Sequence, residues 1–293
     1  MRTTGVYRER AERRRQMRGK GETRGDGWQR TEEDELLLRL ATRYSTLTLH
    51  QAAHSCWGGR IEAARRRVRL MTEAGLLHRS AEVRWAGTVV WTTERGARVA
   101  GVGLGAPHPP GERLLHRLAL TDVGLRLEAQ GHIVLTEREV RTAEATPGRA
   151  AELLADLGVP GVHEGARPGP LLAVPAGVRA VHWPDLVLLL PGESIGAVEV
   201  ELTAKTPSAL RQVLRAYGQA RRRVLYLGTD PVVRQLQGRP GPDGQWIDGV
   251  AQDVGLLPPG GPDPVTGGLL RVRQFTAGDP AIDRQAARHA QRR

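Results

Sequence analysis

The sequence predicts an α/β chain in two parts: an N-terminal all-α/wing domain, then a mixed segment in the order helix, strand, strand, strand, helix, strand. Two observations predict it. Three amphipathic helical patterns precede the β-type run VRWAGTVVWTT, and after Gly111 strand-like runs such as LVLLL and VEVEL alternate with helical ones. At 293 residues the chain is long enough for two modest domains, each with its own core.

Residues 1–30 read as a basic disordered arm, because MRTTGVYRERAERRRQMRGKGETRGDG has no apolar stretch and no secretory cleavage pattern. Such arms add sequence-blind attraction to phosphates, or are simply solvated. Thr31 followed by Glu32, Glu33 and Asp34 marks a helix start, a cap with acids in the first turn. TLTLHQAAHSC and GRIEAARRRVRLMTEAGLLHRS give two more helices. In the second of these, Ile61, Ala64, Val68 and Met71 form one apolar seam, and Gly75 ends it. From Val83 to Thr93 two short strands are expected around Ala86-Gly87. Three helices and a hairpin, with the third helix the most basic, form the pattern of a winged helix-turn-helix over residues 31–100. On that pattern Arg60, Arg65, Arg66, Arg67 and Arg69 of the third helix, with Arg84 of the hairpin, meet DNA phosphates and base edges. The plainer reading is a solvated helix face.

GVGLGAPHPP, residues 101–110, reads as a linker; its GxGxG follows no parallel strand and opens no helix, so it is not a dinucleotide loop. Residues 111–238 form the α/β part. ERLLHRLALTDVGLRLEAQ is a helix, HIVLTEREVR a strand, and RAAELLADLG a short helix. WPDLVLLLP and SIGAVEVELTAK are strands joined at Pro191-Gly192. TPSALRQVLRAYGQA is a helix with a threonine cap and proline at its first position, RRRVLYLG a strand, and DPVVRQLQ a short helix. Residues 239–293 are a Pro/Gly-rich, basic tail with one strand pattern, LLRVRQF, and no assignment.

A formal charge of +11 and a pI near 11.0 point to a polyanionic partner, nucleic acid before an acidic membrane surface, unless arginine is simply the habit of this composition. The single cysteine, Cys56, excludes an internal disulfide and a multi-thiolate zinc site, and fits a reducing cytoplasm. No run approaches the ~20 apolar residues of a membrane span. The histidines show no HExxH spacing, and neither GxSxG nor GxxxxGK[ST] occurs, so metalloprotease, serine hydrolase and NTPase readings lack support. Composition carries no signal for oligomeric state.

The segment VEVELTAKTP carries the chemistry. Of 43 cationic residues only Lys20 and Lys205 are lysine, the cation whose pKa moves when buried. Strand alternation puts Glu199, Glu201, Thr203 and Lys205 on one face. If the strand pairs with LVLLL across the turn, Asp185 comes near Glu199. Two carboxylates meeting there repel each other unless one takes a proton or a cation joins them, and magnesium is the usual cation of an oxygen-only site that meets phosphate. Lys205 would then orient water or offset charge. The plainer reading is a half-buried strand with a solvated polar face.

Pro184-Asp185 and Glu199-Val200-Glu201, in this element order, look like the restriction-endonuclease-like or PD-(D/E)xK nuclease fold, αβββαβ. More narrowly, LLHRLALTDVGLRLEAQGHIVLTEREVR and HWPDLVLLLPGESIGAVEVELTAKTPSALRQVLRAYGQARRRVLYL, with the winged-helix segment, resemble the replication-relaxation proteins of actinobacterial plasmids and integrative elements, over roughly Thr31 to Leu236. The resemblance implies a DNA-binding protein of mobile-element replication or transfer. Asp185 and Glu199 would be metal carboxylates, Lys205 a catalytic partner, and Asp122 or Glu128 a further acid. The motif asks for lysine where this chain has Glu201, so the alternative is a non-catalytic DNA-binding initiator or regulator. Arg221, Arg222 and Arg223 either hold phosphate nearby or line a solvated strand end; His116 and His182 fall loosely near the site.

Overall fold

The computed structural model describes residues 28–81, 83–159, 169–177, 180–190, 194–261 and 268–291. The chain is mixed α/β and divides into two compact units, Met1–Ile133 and Val134–Arg293. Residues 1–27 of the predicted arm and the Pro191-Gly192 turn signal lie outside the described residues.

In the first unit, α1 (Glu32–Arg43) starts at a capping box: Thr31 accepts from the Asp34 N–H, and the Asp34 carboxylate accepts from the Thr31 N–H. It buries Leu37, Leu38, Leu40 and Ala41. After β1 (Leu47–Thr48), α2 (Leu49–Trp57) is capped in the same way by Thr48 and Gln51, and stops at Gly58, left-handed at φ +59°. α3 (Ile61–Glu73) buries Ala64, Val68 and Met71 of the predicted seam.

The hairpin differs from the sequence expectation. β2 (Leu77–Ser80) pairs antiparallel with β3 (Val89–Thr92), and β1 pairs with the other edge of β3. Val83 to Ala86 is a turn, closed by an Ala86 N–H to Val83 carbonyl bond of 3.0 Å, so the first strand is LHRS and not the Val83 run. Buried Leu76 and Leu77 anchor that strand, and the facing pair His78 and Trp91 covers its outer side.

α4 (Glu94–Ala100), capped by Thr93 and ended by left-handed Gly101, follows directly. The next helix, α5 (Leu114–Ala129), falls in this first compact unit, which runs to Ile133. Its docking is explicit. The Gln51 amide donates to the Leu118 carbonyl at 3.0 Å and the Thr121 hydroxyl to the Thr46 carbonyl at 2.9 Å. Arg43 and Tyr44 both donate to the Glu128 carboxylate, at 2.7 and 2.9 Å.

In the second unit β4 (Ile133–Thr136) is short because Thr136 and Glu139 build a capping box for α6 (Glu137–Glu144); the predicted strand HIVLTEREVR turns helical halfway. α7 (Arg149–Asp156) and the small antiparallel pair β5 (Val174–Pro175) and β6 (Val181–His182) lead to β7 (Leu186–Leu190) and β8 (Ser194–Glu201). β8 pairs antiparallel with β7 and parallel with β9 (Arg223–Gly228). The parallel step needs a crossover, supplied by α8 (Pro207–Gln219) with its predicted Thr206 cap and Pro207 start.

The tail is not a tail. After α9 (Asp230–Gln237), the small pair β10 (Arg239–Pro240) and β11 (Trp246–Ile247), and α10 (Val250–Asp253), the strand β12 (Leu270–Gln274) pairs parallel with β9. The sheet order is β12-β9-β8-β7-β4. One face of this sheet, with Ala197, Val224, Tyr226, Leu270 and Val272, packs on Leu210, Leu214 and Tyr217 of α8 and on Val232, Leu236 and Val250 beyond it. The described elements after Gly238 therefore complete the core, ending in α11 (Pro280–Gln291), which buries Ile282 and Ala286. Among the described residues no helix is long and apolar enough to cross a membrane.

Candidate functional site

Antiparallel pairing of Leu186 with Val198 carries Asp185, one residue before β7, to a place beside Glu199 on β8. Asp185 Oδ2 accepts the Val200 N–H at 2.8 Å, which fixes its carboxylate against the strand that bears the glutamate. Glu199 is 3% exposed and points under α8. Its Oε1 accepts the Tyr217 hydroxyl and lies 2.8 Å from His182 Nε2. Burial, and then repulsion from Asp185, raise the Glu199 carboxyl above the usual carboxylate range; the His182 and Tyr217 bonds pull the other way without cancelling them. Burial and the Glu199 charge likewise hold the Tyr217 phenol protonated well beyond its ordinary range.

Tyr226 of β9 pairs laterally with Glu199, is fully buried, and its hydroxyl has no hydrogen-bond partner among the described residues. β8 ends at Glu201, so strict alternation stops there, yet Lys205 still reaches Glu201 and pairs with it. Burial tends to lower the Lys205 pKa, but Glu201, with Glu199 and Asp185 behind it, outweighs burial and raises it. The ammonium is thus held charged in the field of three carboxylates. The segment is fixed from outside by Gln235, which donates to the Lys205 carbonyl at 2.6 Å, and by His289 Nε2, which lies 2.9 Å from the Thr203 hydroxyl.

The structure therefore brings Asp185, Glu199, Glu201 and Lys205 together. His182 joins them; Tyr217 and Tyr226 were missed in the sequence. Tyr217 sits on the apolar stripe of α8 with Leu210 and Leu214, so its spacing signals only core. Asp122 and Glu128 lie on α5 in the first unit, where Asp122 pairs with Arg126 at 3.1 Å and Glu128 with Arg43. His116 is on the same helix.

Among the described residues no group of three or more His, Cys, Asp or Glu side chains is placed to hold a metal. Asp185 and Glu199, which repel each other across paired strands, are oxygen donors of the kind magnesium takes when it binds one or two protein carboxylates and completes its shell with water and phosphate.

In the first unit Arg60, Arg65, Arg66, Arg69 and Arg84 are exposed. Arg65 pairs with Glu62, and Arg69 lies 3.8 Å from Glu73. Arg67 is different. Its guanidinium donates from Nε and Nη2 to the fully buried Asp34 carboxylate and from Nη2 to the Gln29 carbonyl, and the Asp34 bond raises its pKa. It is corrected from a DNA contact to a structural ion pair. Compared with known proteins, the chain matches no family model, no curated protein and no solved structure.

Proposed function

We propose that this chain is a DNA-binding protein whose second unit cuts a phosphodiester bond with the help of a divalent metal. On this reading the first unit is a winged helix-turn-helix and the second a restriction-endonuclease-like domain, in a protein serving replication or transfer of a plasmid or other mobile element, as the resemblance of the HWPD and VEVELTAK blocks implies. The observation that carries it is the juxtaposition of Asp185 and Glu199 on paired strands with a charged lysine in their field. Asp185 and Glu199 would hold magnesium, which when bound polarises a phosphoryl oxygen and acidifies water. His182 and Tyr217 orient the Glu199 carboxylate. Lys205 offsets negative charge gathering at the phosphate, and the exposed arginines of α3 attract the DNA backbone.

One observation favours a second reading. Glu201 occupies the usual lysine position and pairs with Lys205, so a regulator or initiator that binds DNA without cutting it would have this same site. Incubation with supercoiled plasmid and Mg²⁺ separates the two. The proposal expects nicked product, reduced roughly a hundredfold or more by Asp185→Ala. Intact plasmid under all salt conditions, or nicking indifferent to that substitution, leaves only the binding protein.

A further inference from the structure

We infer that the last helix, α11, is part of the DNA-binding surface of the Asp185–Glu199 site, with Arg284 and Arg288 contacting backbone phosphates that flank the one at the acids; this rests on the function proposed above. The helix is tied to the site itself. His289 bonds the hydroxyl of Thr203, which lies between Glu201 and Lys205, so Arg288 is the chain neighbour of a residue that touches the segment leaving β8. Ile282 and Ala286, four residues apart, are buried, and Arg284 and Arg288, also four apart, form an exposed row.

Several helical arginines of this protein are balanced by a local acid, and among the described residues those of α11 are not. Arg65, Arg69, Arg141, Arg149 and Arg234 each pair with an acid three or four residues away on their own helices. The acids near the start of α11 are used otherwise: Asp279 accepts the Ala281 N–H at 2.9 Å, and Asp283 accepts the Ala277 N–H at 3.0 Å. Among the described residues Arg284 and Arg288 have no acid partner. Two exposed guanidiniums without acid partners, on a helix bonded to the segment that carries Lys205, fit a polyanionic strand. Cations near a helix C-terminus also suit the helix dipole, and that role alone predicts no change in DNA binding when they are removed.

The test uses the full-length protein in EDTA, where no metal-dependent cut occurs, and a fluorescein-labelled duplex of about 30 base pairs, titrated by anisotropy between about 50 and 200 mM KCl. Arg284→Gln with Arg288→Gln should weaken binding roughly tenfold near 100 mM KCl and flatten the log K against log[salt] slope by about two. Arg149→Gln with Arg234→Gln, equal in charge but already paired, should leave that slope unchanged. His289→Ala, which releases the helix from Thr203, should cause part of the loss. A wild-type slope and affinity in the α11 variant, with circular dichroism unchanged, overturns the inference alone and leaves the proposed nuclease standing if Asp185→Ala still abolishes nicking. A wild-type protein that holds no DNA at any salt overturns both.

Discussion

Glu199 concentrates the energetics of the second unit in one side chain. It is an acid almost without solvent, beside another acid, and its carboxyl is raised from the ordinary 4.5 mainly by burial and then by Asp185. A proton bound more tightly by the folded chain than by the unfolded one stabilises the fold at low pH. That contribution is complete below the unfolded value and is lost as pH rises through the raised folded value. The window therefore opens near 4.5 and extends upward. Glu199→Gln keeps an acceptor for Tyr217 and removes the charge, so it should unfold at higher urea than the parent at about pH 7 and show no such advantage at about pH 4. Urea midpoints across that range measure it; a gap that does not change with pH would exclude the titration of Glu199 as its cause. The same buried acid explains the two partners around it, since a carboxylate out of water requires donors.

Elements in the first unit are fixed by a few long-range contacts whose loss has calculable consequences. α3 is held to the start of α1 by Arg67 and the buried Asp34, which also receives the Trp28 indole N–H at 3.1 Å. Arg67→Ala leaves Asp34 buried without its cation and should cost about 3–5 kcal/mol. Arg66→Ala, one residue away and exposed, should stay within about 0.5 kcal/mol. Denaturant unfolding of the two variants separates an arginine that holds the fold from one that faces solvent. α5 docks by close approach: a Cβ at Gly124 would overlap the Tyr44 ring. Alanine there gains about 1 kcal/mol of helix propensity and meets about 1–3 kcal/mol of overpacking. Gly124→Ala should therefore lower the melting temperature, and an increase would mean that the Tyr44 ring moves aside freely.

Across the whole molecule the dominant property is its charge, +11 by formal count. A protein that neutralises phosphates with arginine releases counterions, so its DNA affinity falls steeply with salt, by a slope of about 0.9 for each contact. On the proposed function, replacing Arg60 and Arg66, both exposed and without an acid partner among the described residues, should weaken binding to any duplex sequence and reduce that slope by about two, measured by anisotropy over a salt series. An unchanged slope would remove α3 from the interface. The charge is also selectively distributed: Arg43 and Arg67 are internal, and only the arginines left outside ion pairs within the fold remain to meet a partner.

Local residue order determined much of this protein. Thr31 with its acids, Thr206-Pro207, the Ile61 to Met71 seam and the unbroken apolar run LVLLL each specify an element within a few residues, because caps, period and turns act over one or two turns of chain. The neighbourhood of Asp185 and Glu199 was legible too, since a short connection between two strands leaves antiparallel pairing as the simple outcome. What tertiary structure decided lies between residues far apart in sequence: Tyr217 on Glu199 at a separation of 18, Arg67 on Asp34 at 33, Gln51 on Leu118 at 67, and His289 on Thr203 at 86. Periodicity reports which side of a helix is apolar, not which surface it will meet. A tyrosine on an apolar stripe therefore reads as core until a buried acid is found beneath it, and a Pro/Gly-rich tail reads as loose until one of its strands completes a sheet.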